Sequence, residues 1–124
     1  MQQQRERYPD DSMRWIGQSI SGVLLIVLLA IHMIAQHYMV EGGLRDYEQV
    51  MVWLRSPWVL AMEIIFLGVV TYHALLGARS IAYDFGLPLA VQKNVNRILL
   101  AIGVVTFGYG LWLILTIYQQ ALQF

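Results

Sequence analysis

Three histidines, His32, His37 and His73, stand in or at the edge of long apolar runs. An imidazole in hydrocarbon is costly, and it turns toward a partner, a cavity or a cofactor. Its nitrogens are also common axial ligands of haem iron. His73 is followed four residues later by Gly77, on the same helical face. A missing side chain there admits either a flat macrocycle or a neighbouring helix. His32 lies well inside its run. The competing role for both histidines is a hydrogen bond to a Ser or Thr across a helix interface, with Gly77 as a close-packing site. His37, beside Tyr38 near the end of its run, reads as an interfacial residue.

Other polar residues in these runs are few. Glu63 is the one carboxylate inside a span, ten residues from His73. It suits the outer interface, a polar cavity or a proton path. Arg79 and Asp84 flank the inner end of the second run. Their opposite signs suit an ion pair or a docking site, and an arginine there suits the anionic propionates of a haem. Asp84 with Tyr83 can hydrogen-bond a quinone or its water; a plain surface turn is the alternative. Ser19, Ser21 and Gly22 form a small polar patch in the first run, and Gly103, Gly108 and Gly110 a small-residue stripe in the third, both suited to helix packing. Trp112 lies deep enough in the third run to be a packing or cofactor-contact residue.

The elements that carry these residues follow from composition. Of 124 residues, 58% are hydrophobic and only 13% charged, with 8 basic residues against 8 acidic ones. So small a chain cannot hide that much apolar surface in a core of its own, so lipid or a large partner must cover it. The balance leaves no basic excess for nucleic acid. The absence of cysteine excludes disulfide scaffolds, thiolate metal sites and cysteine nucleophiles. The apolar runs 20–35 (within a broader apolar segment, 15–40), 57–78 and 98–117 give three segments each long enough to cross a hydrocarbon core of about 30 Å. Without water, their backbone groups must pair within the segment, which makes them helices.

The expectation is therefore an all-α membrane protein. It has a polar N-terminal segment (1–13), then a three-helix membrane unit (14–124) with spans at about 15–40, 57–80 and 96–119. Tyr47, Val50, Met51 and Leu54 recur at helical spacing in the first connection, and Gly86 and Pro88 mark a turn in the second. Six basic residues (Arg5, Arg7, Arg14, Arg79, Lys93, Arg97) fall on one side and two (Arg45, Arg55) on the other, which predicts the N-terminus inside and the C-terminus outside. Trp15, Trp53, Trp58, Tyr38 and Tyr118 fall near span ends, where interfacial aromatics are expected.

That topology separates the two buried histidines. His32 stands about 27 Å along the first helix from Arg14, whereas His73 stands only about 9 Å from Arg79 at the inner end of the second. Axial ligands of one iron sit at nearly equal depth on opposite porphyrin faces. His32 and His73 therefore suit different haems, each needing its second ligand from another chain. Three helices are also thin for enclosing a porphyrin, which again points to a partner membrane subunit.

The order Ser21-Gly22, His32, then His73-x-x-x-Gly77-x-Arg79-x-x-x-x-Asp84 resembles the small hydrophobic anchor subunits of succinate dehydrogenase (succinate:quinone oxidoreductase) and the related fumarate reductases, most closely the SdhD-type cytochrome b anchor. The resemblance covers about residues 14–118. It implies two three-helix anchors that hold a flavoprotein and an iron–sulfur subunit on the membrane of a bacterium or archaeon, with haem b between the anchors. Quinone would react where they meet the iron–sulfur subunit. It implies His73 as an axial haem ligand, His32 as ligand of an outer haem in two-haem members, Gly77 and Arg79 as haem contacts, and Asp84, Tyr83 and Ser19 as quinone-site candidates. Two positions depart from the pattern. Many relatives carry an arginine where Ser19 stands, and a tyrosine directly after the aspartate where Phe85 stands; Tyr83 precedes Asp84 instead.

The resemblance gives this chain no succinate chemistry of its own: it has no flavin fold, no cluster cysteines and no dicarboxylate pocket. The competing readings are an anchor of another multi-subunit membrane b-type cytochrome, a haem-free membrane assembly protein and a small transporter or channel. Three helices give little wall for a path through a single chain.

Overall fold

The computed structural model describes residues 9–124. Arg5, Arg7 and most of the polar N-terminal segment lie outside the described residues. Helix α1 (Pro9–Met33) continues through one π-helical stretch, Ile34–Tyr38. A loop leads to the short helix α2 (Tyr47–Leu54), followed by the long helices α3 (Pro57–Asp84) and α4 (Leu89–Gln123). The three apolar helices, Ser12–Tyr38, Pro57–Asp84 and Leu89–Gln123, have 27, 28 and 35 residues. At about 1.5 Å per residue each exceeds a bilayer core of about 30 Å. There is no strand among the described residues.

The helices outrun their apolar cores because their ends are defined by caps rather than by hydropathy. Pro57 occupies the first turn of α3, where its missing N–H costs nothing. Gly86, at φ +70°, takes the left-handed conformation that ends α3 and donates its N–H to the Tyr83 carbonyl. Pro88 then starts α4. In the first connection Asp46 and Gln49 form a reciprocal capping box at the start of α2, on the segment where the apolar spacing predicted a helix.

The two arginines of that connection close the ends of the neighbouring helices. Arg45 donates to the Ala35 carbonyl, and Arg55 to the Ala121 carbonyl. Each brings a cation to a helix C-terminus, where the dipole and unpaired carbonyls favour it. Arg45 also lies over the Trp53 ring, 4.3 Å from its centre. Phe124 packs edge-on against Tyr47, which docks the end of α4 on α2. His37 bridges from Nδ1 to the Gly43 carbonyl at 3.0 Å and pins the loop to the π-helical stretch.

Helix α3 is central, packing on α1 along one side and α4 along the other, while α1 and α4 do not pack on each other. The chain is thus an open layer of three helices. At α3–α4 glycines on one helix receive large side chains from the other: Leu75 fits Gly103, Leu67 fits Gly110, and Phe107 lies against Gly68. Such close approach is how helices gain packing energy in lipid, where no hydrophobic force drives them together. An open layer leaves little interior. Only 11%, 6% and 6% of the most apolar stretches of the three spans are buried. Trp112, expected as a packing or cofactor-contact residue, is 58% exposed beside Tyr109 and does not pack inside the layer. Both faces must be covered by lipid or another membrane chain.

Candidate functional site

Helix α1 presents Gln18, Ser21 and Gly22 on one face, and α3 presents His73 and Gly77 against it. Ser21 is the one polar residue among the buried side chains described. Its Oγ lies 3.0 Å from both the Gln18 carbonyl and Nδ1 of His73. A hydroxyl has one proton and a carbonyl can only accept. Both contacts are satisfied when Ser21 donates to Gln18 and His73 donates from Nδ1 to Ser21. The ring proton is then on Nδ1, and Nε2, which has no hydrogen bond among the described residues, keeps its lone pair. That tautomer is the one in which Nε2 can bind a metal.

The absence of a side chain at Gly22 makes room for this ring, since a Cβ there would lie 3.3 Å from Cε1 of His73. At Gly77 the neighbour is the Gln18 amide, whose Nε2 would be 3.3 Å from an added Cβ. Of the two roles open to Gly77, the geometry displays the approach of a neighbouring helix. Gln18 Oε1 is buried there with no hydrogen-bond partner.

At the inner end of α3, of the roles open to Arg79 and Asp84 (an ion pair, a docking site or a plain surface turn), the described contacts of Arg79 run to Asn96 and Tyr83. Arg79 donates from Nε to the Asn96 side chain at 3.1 Å, and its guanidinium lies 4.1 Å from the Tyr83 ring centre. Tyr83 in turn donates its hydroxyl proton to the Gln92 carbonyl at 3.3 Å. The reason is helical spacing: Tyr83, four residues on, shares the face of Arg79, whereas Asp84, five on, is turned away. Asp84 is exposed at the end of α3, with no ion pair among the described residues. Ser19 is exposed and hydrogen-bonds back to the Trp15 carbonyl of its own helix.

A second polar pair lies farther along. His32 of α1 faces Glu63 of α3, Nδ1 to Oε1 at 3.6 Å, and its ring lies nearly parallel to Phe66, at 8°. Ser21 and His32 are eleven residues apart on α1, about 16 Å. The structure therefore brings His73 to Ser21 and Gly22, and Arg79 to Tyr83, but keeps His32 in a separate site. Among the described residues no three His, Cys, Asp or Glu side chains converge as a metal cage. His73 and His32 each instead have an Nε2 without a hydrogen bond among the described residues, so each could supply one nitrogen to a haem iron and neither is a complete metal site.

Three residues were missed by sequence reasoning, Gln18, Phe66 and Asn96. The first two could have been found by helical spacing, Gln18 at three residues before Ser21 and Phe66 at three after Glu63, whereas Asn96 meets Arg79 only through the packing of α4 on α3.

The chain is similar to known membrane proteins over nearly its whole length. A family model described as succinate dehydrogenase/fumarate reductase transmembrane subunit matches residues 2–117. A succinate dehydrogenase hydrophobic membrane anchor subunit of Thermoplasma acidophilum is 28% identical over 105 residues, 85% of each chain. A protein of the same description from Archaeoglobus fulgidus is 28% identical over 107 residues, 86% of this chain and 91% of the relative. No solved structure matches.

Proposed function

The chain belongs to the succinate dehydrogenase/fumarate reductase transmembrane subunit family, and from that premise we propose that it is the haem b-binding anchor of a succinate:quinone oxidoreductase. In this reading it holds the flavoprotein and iron–sulfur subunits on the membrane and shapes part of the quinone site. What supports the reading is family membership together with His73, an intramembrane imidazole seated in the Gly22 recess. Its contact with Ser21 is the inter-helix hydrogen bond that a packing histidine also makes, and when Nδ1 donates there it leaves Nε2 as the nitrogen available to iron.

Haem, when bound, supplies a one-electron redox centre. The chain's residues do the rest. Ser21 fixes the tautomer and rotation of His73, and Gly22 gives the ring its depth in the α1–α3 interface. His32, whose Nδ1 faces Glu63 rather than a hydroxyl, would hold a second, outer haem. Arg79, steadied by Asn96 and Tyr83, brings a cation to the inner end of α3, where a propionate would need one. Asp84, exposed beyond that cluster, hydrogen-bonds quinone or its water; Ser19 belongs to the same inner surface and reaches it only from the exposed face of α1. The open faces of the layer are covered by a second anchor subunit, whose residues would complete the hold on each haem.

Orientation follows from the charges. Arg14, Arg79, Lys93 and Arg97 lie at one end of the layer and make it the inner one. Arg45 and Arg55 at the other end are engaged as helix caps. The test is isolation of the intact complex with b-type haem counted per flavin. One or two haems per flavin is the expected result, and a complex with flavin and no haem would overturn the reading.

A further inference from the structure

Glu63 is the one carboxyl group within a span, and nothing in the function above uses it. A carboxyl at that depth is costly unless it meets a partner. The side chain facing it is His32, whose Nδ1 is buried and has no hydrogen bond. The separation of 3.6 Å is just beyond hydrogen-bonding range, and a small ring rotation closes it. Phe66, one turn along α3 from Glu63, already holds the ring plane by lying parallel to it. Glu63 and Phe66 thus form a seat for one imidazole, with Nδ1 toward the carboxyl and Nε2 without a partner among the described residues. Side-chain exposures of 32% for His32 and 23% for Glu63 leave the seat open on one side.

We propose that Glu63 is the positioning residue of the outer site: it accepts the Nδ1 proton of His32 as Ser21 accepts that of His73, and so aims Nε2 at the outer haem iron. This rests on the reading of both histidines as haem ligands. The two partners differ chemically. A carboxylate that accepts the imidazole proton raises the basicity of the ligating nitrogen more than a hydroxyl does. A more basic ligand favours the ferric state, so the carboxyl of Glu63 lowers the potential of the outer centre relative to the same site without it.

The test uses the intact complex, with redox titration of the haem absorption bands at fixed pH and low-spin resonance spectra. His32→Ala first identifies the outer haem as the one it removes. Glu63→Gln is expected to keep the haem stoichiometry, move the outer midpoint to a more positive potential and alter its low-spin signal, with the inner haem unchanged. Ser21→Ala is expected to do the reverse, perturbing only the inner haem. An unchanged outer midpoint and signal in Glu63→Gln, or an equal shift of both haems, overturns the proposal. Should the Gln variant fail to assemble, Glu63→Asp draws the carboxyl back by one methylene while keeping its charge. A changed outer signal supports the contact and an unchanged one refutes it. Retention of every haem by His32→Ala would sink the ligand reading itself, whereas haem loss there with a silent Glu63→Gln sinks only the role of Glu63.

Discussion

Nδ1 of His73 and the hydroxyl of Ser21 lie 3.0 Å apart across the α1–α3 interface, and the same hydroxyl reaches the Gln18 carbonyl at 3.0 Å. The chain of donors thereby has a direction, from imidazole to hydroxyl to backbone. It ends on a carbonyl that cannot move without unwinding α1, so ring rotation and tautomer are fixed by the backbone of another helix. The contact also ties the first span to the second at one depth, on the side of α3 opposite α4.

Enlarging Gly22 tests that seat. A Cβ would stand 3.3 Å from Cε1 of His73, so Gly22→Ala needs a shift of only tenths of an ångström, whereas Gly22→Leu evicts the ring. The Ala variant should keep its haem with a small spectral change. The Leu variant should lose it while the α3–α4 pair still forms. Haem per flavin in the two variants is the measurement.

The α3–α4 interface makes a different prediction. A Cβ at Gly103 would overlap Leu75, so Gly103→Ala should cost about 1–3 kcal/mol by overpacking. Adding Leu75→Ala should restore part of that loss, because it vacates the volume the new methyl needs. Thermal unfolding of the solubilised complex for the two single variants and the double variant reads the coupling.

Much of this architecture was legible in the sequence because lipid allows few solutions. Three long apolar runs had to be helices, and the turn at Gly86 and Pro88 had to separate two of them. The short helix α2 was visible in the spacing of Tyr47, Val50, Met51 and Leu54. The pairing of faces was not legible, since hydropathy is nearly uniform around a lipid-exposed helix. Nothing in the order of residues says that Ser21 rather than Ser19 meets His73. Which of the roles open to Arg79 and Asp84 applies was not legible for a related reason: Tyr83 and Asn96 lie on the face the guanidinium occupies, and Asp84, five residues on, is turned from it. Glu63 and His32 were each visible alone, but their approach depends on the register of α1 against α3.

Asp84, exposed and without an ion pair among the described residues, should tolerate neutralisation. Asp84→Asn should change stability by less than about 0.5 kcal/mol and leave the haem spectrum intact. Quinone-dependent turnover should fall more than turnover with an artificial acceptor that takes electrons upstream. Equal loss of both activities would instead indicate a role in assembly.

Orientation is open to direct labelling. Single cysteines at Gln2 and Gln123 should react with a membrane-impermeant reagent from opposite sides, Gln123 from outside. Labelling of both from one side would contradict the three-span topology.

The central claim is that His73 is an axial ligand of haem b, and its most direct measurement is the reduced b-type absorption spectrum and low-spin resonance of an assembled His73→Ala complex, with haem counted per flavin. The account predicts loss of the inner haem's bis-histidine signature. The flavoprotein and iron–sulfur subunits should still oxidise succinate with an artificial acceptor. An assembled His73→Ala complex with unchanged haem content, spectrum and resonance would contradict it.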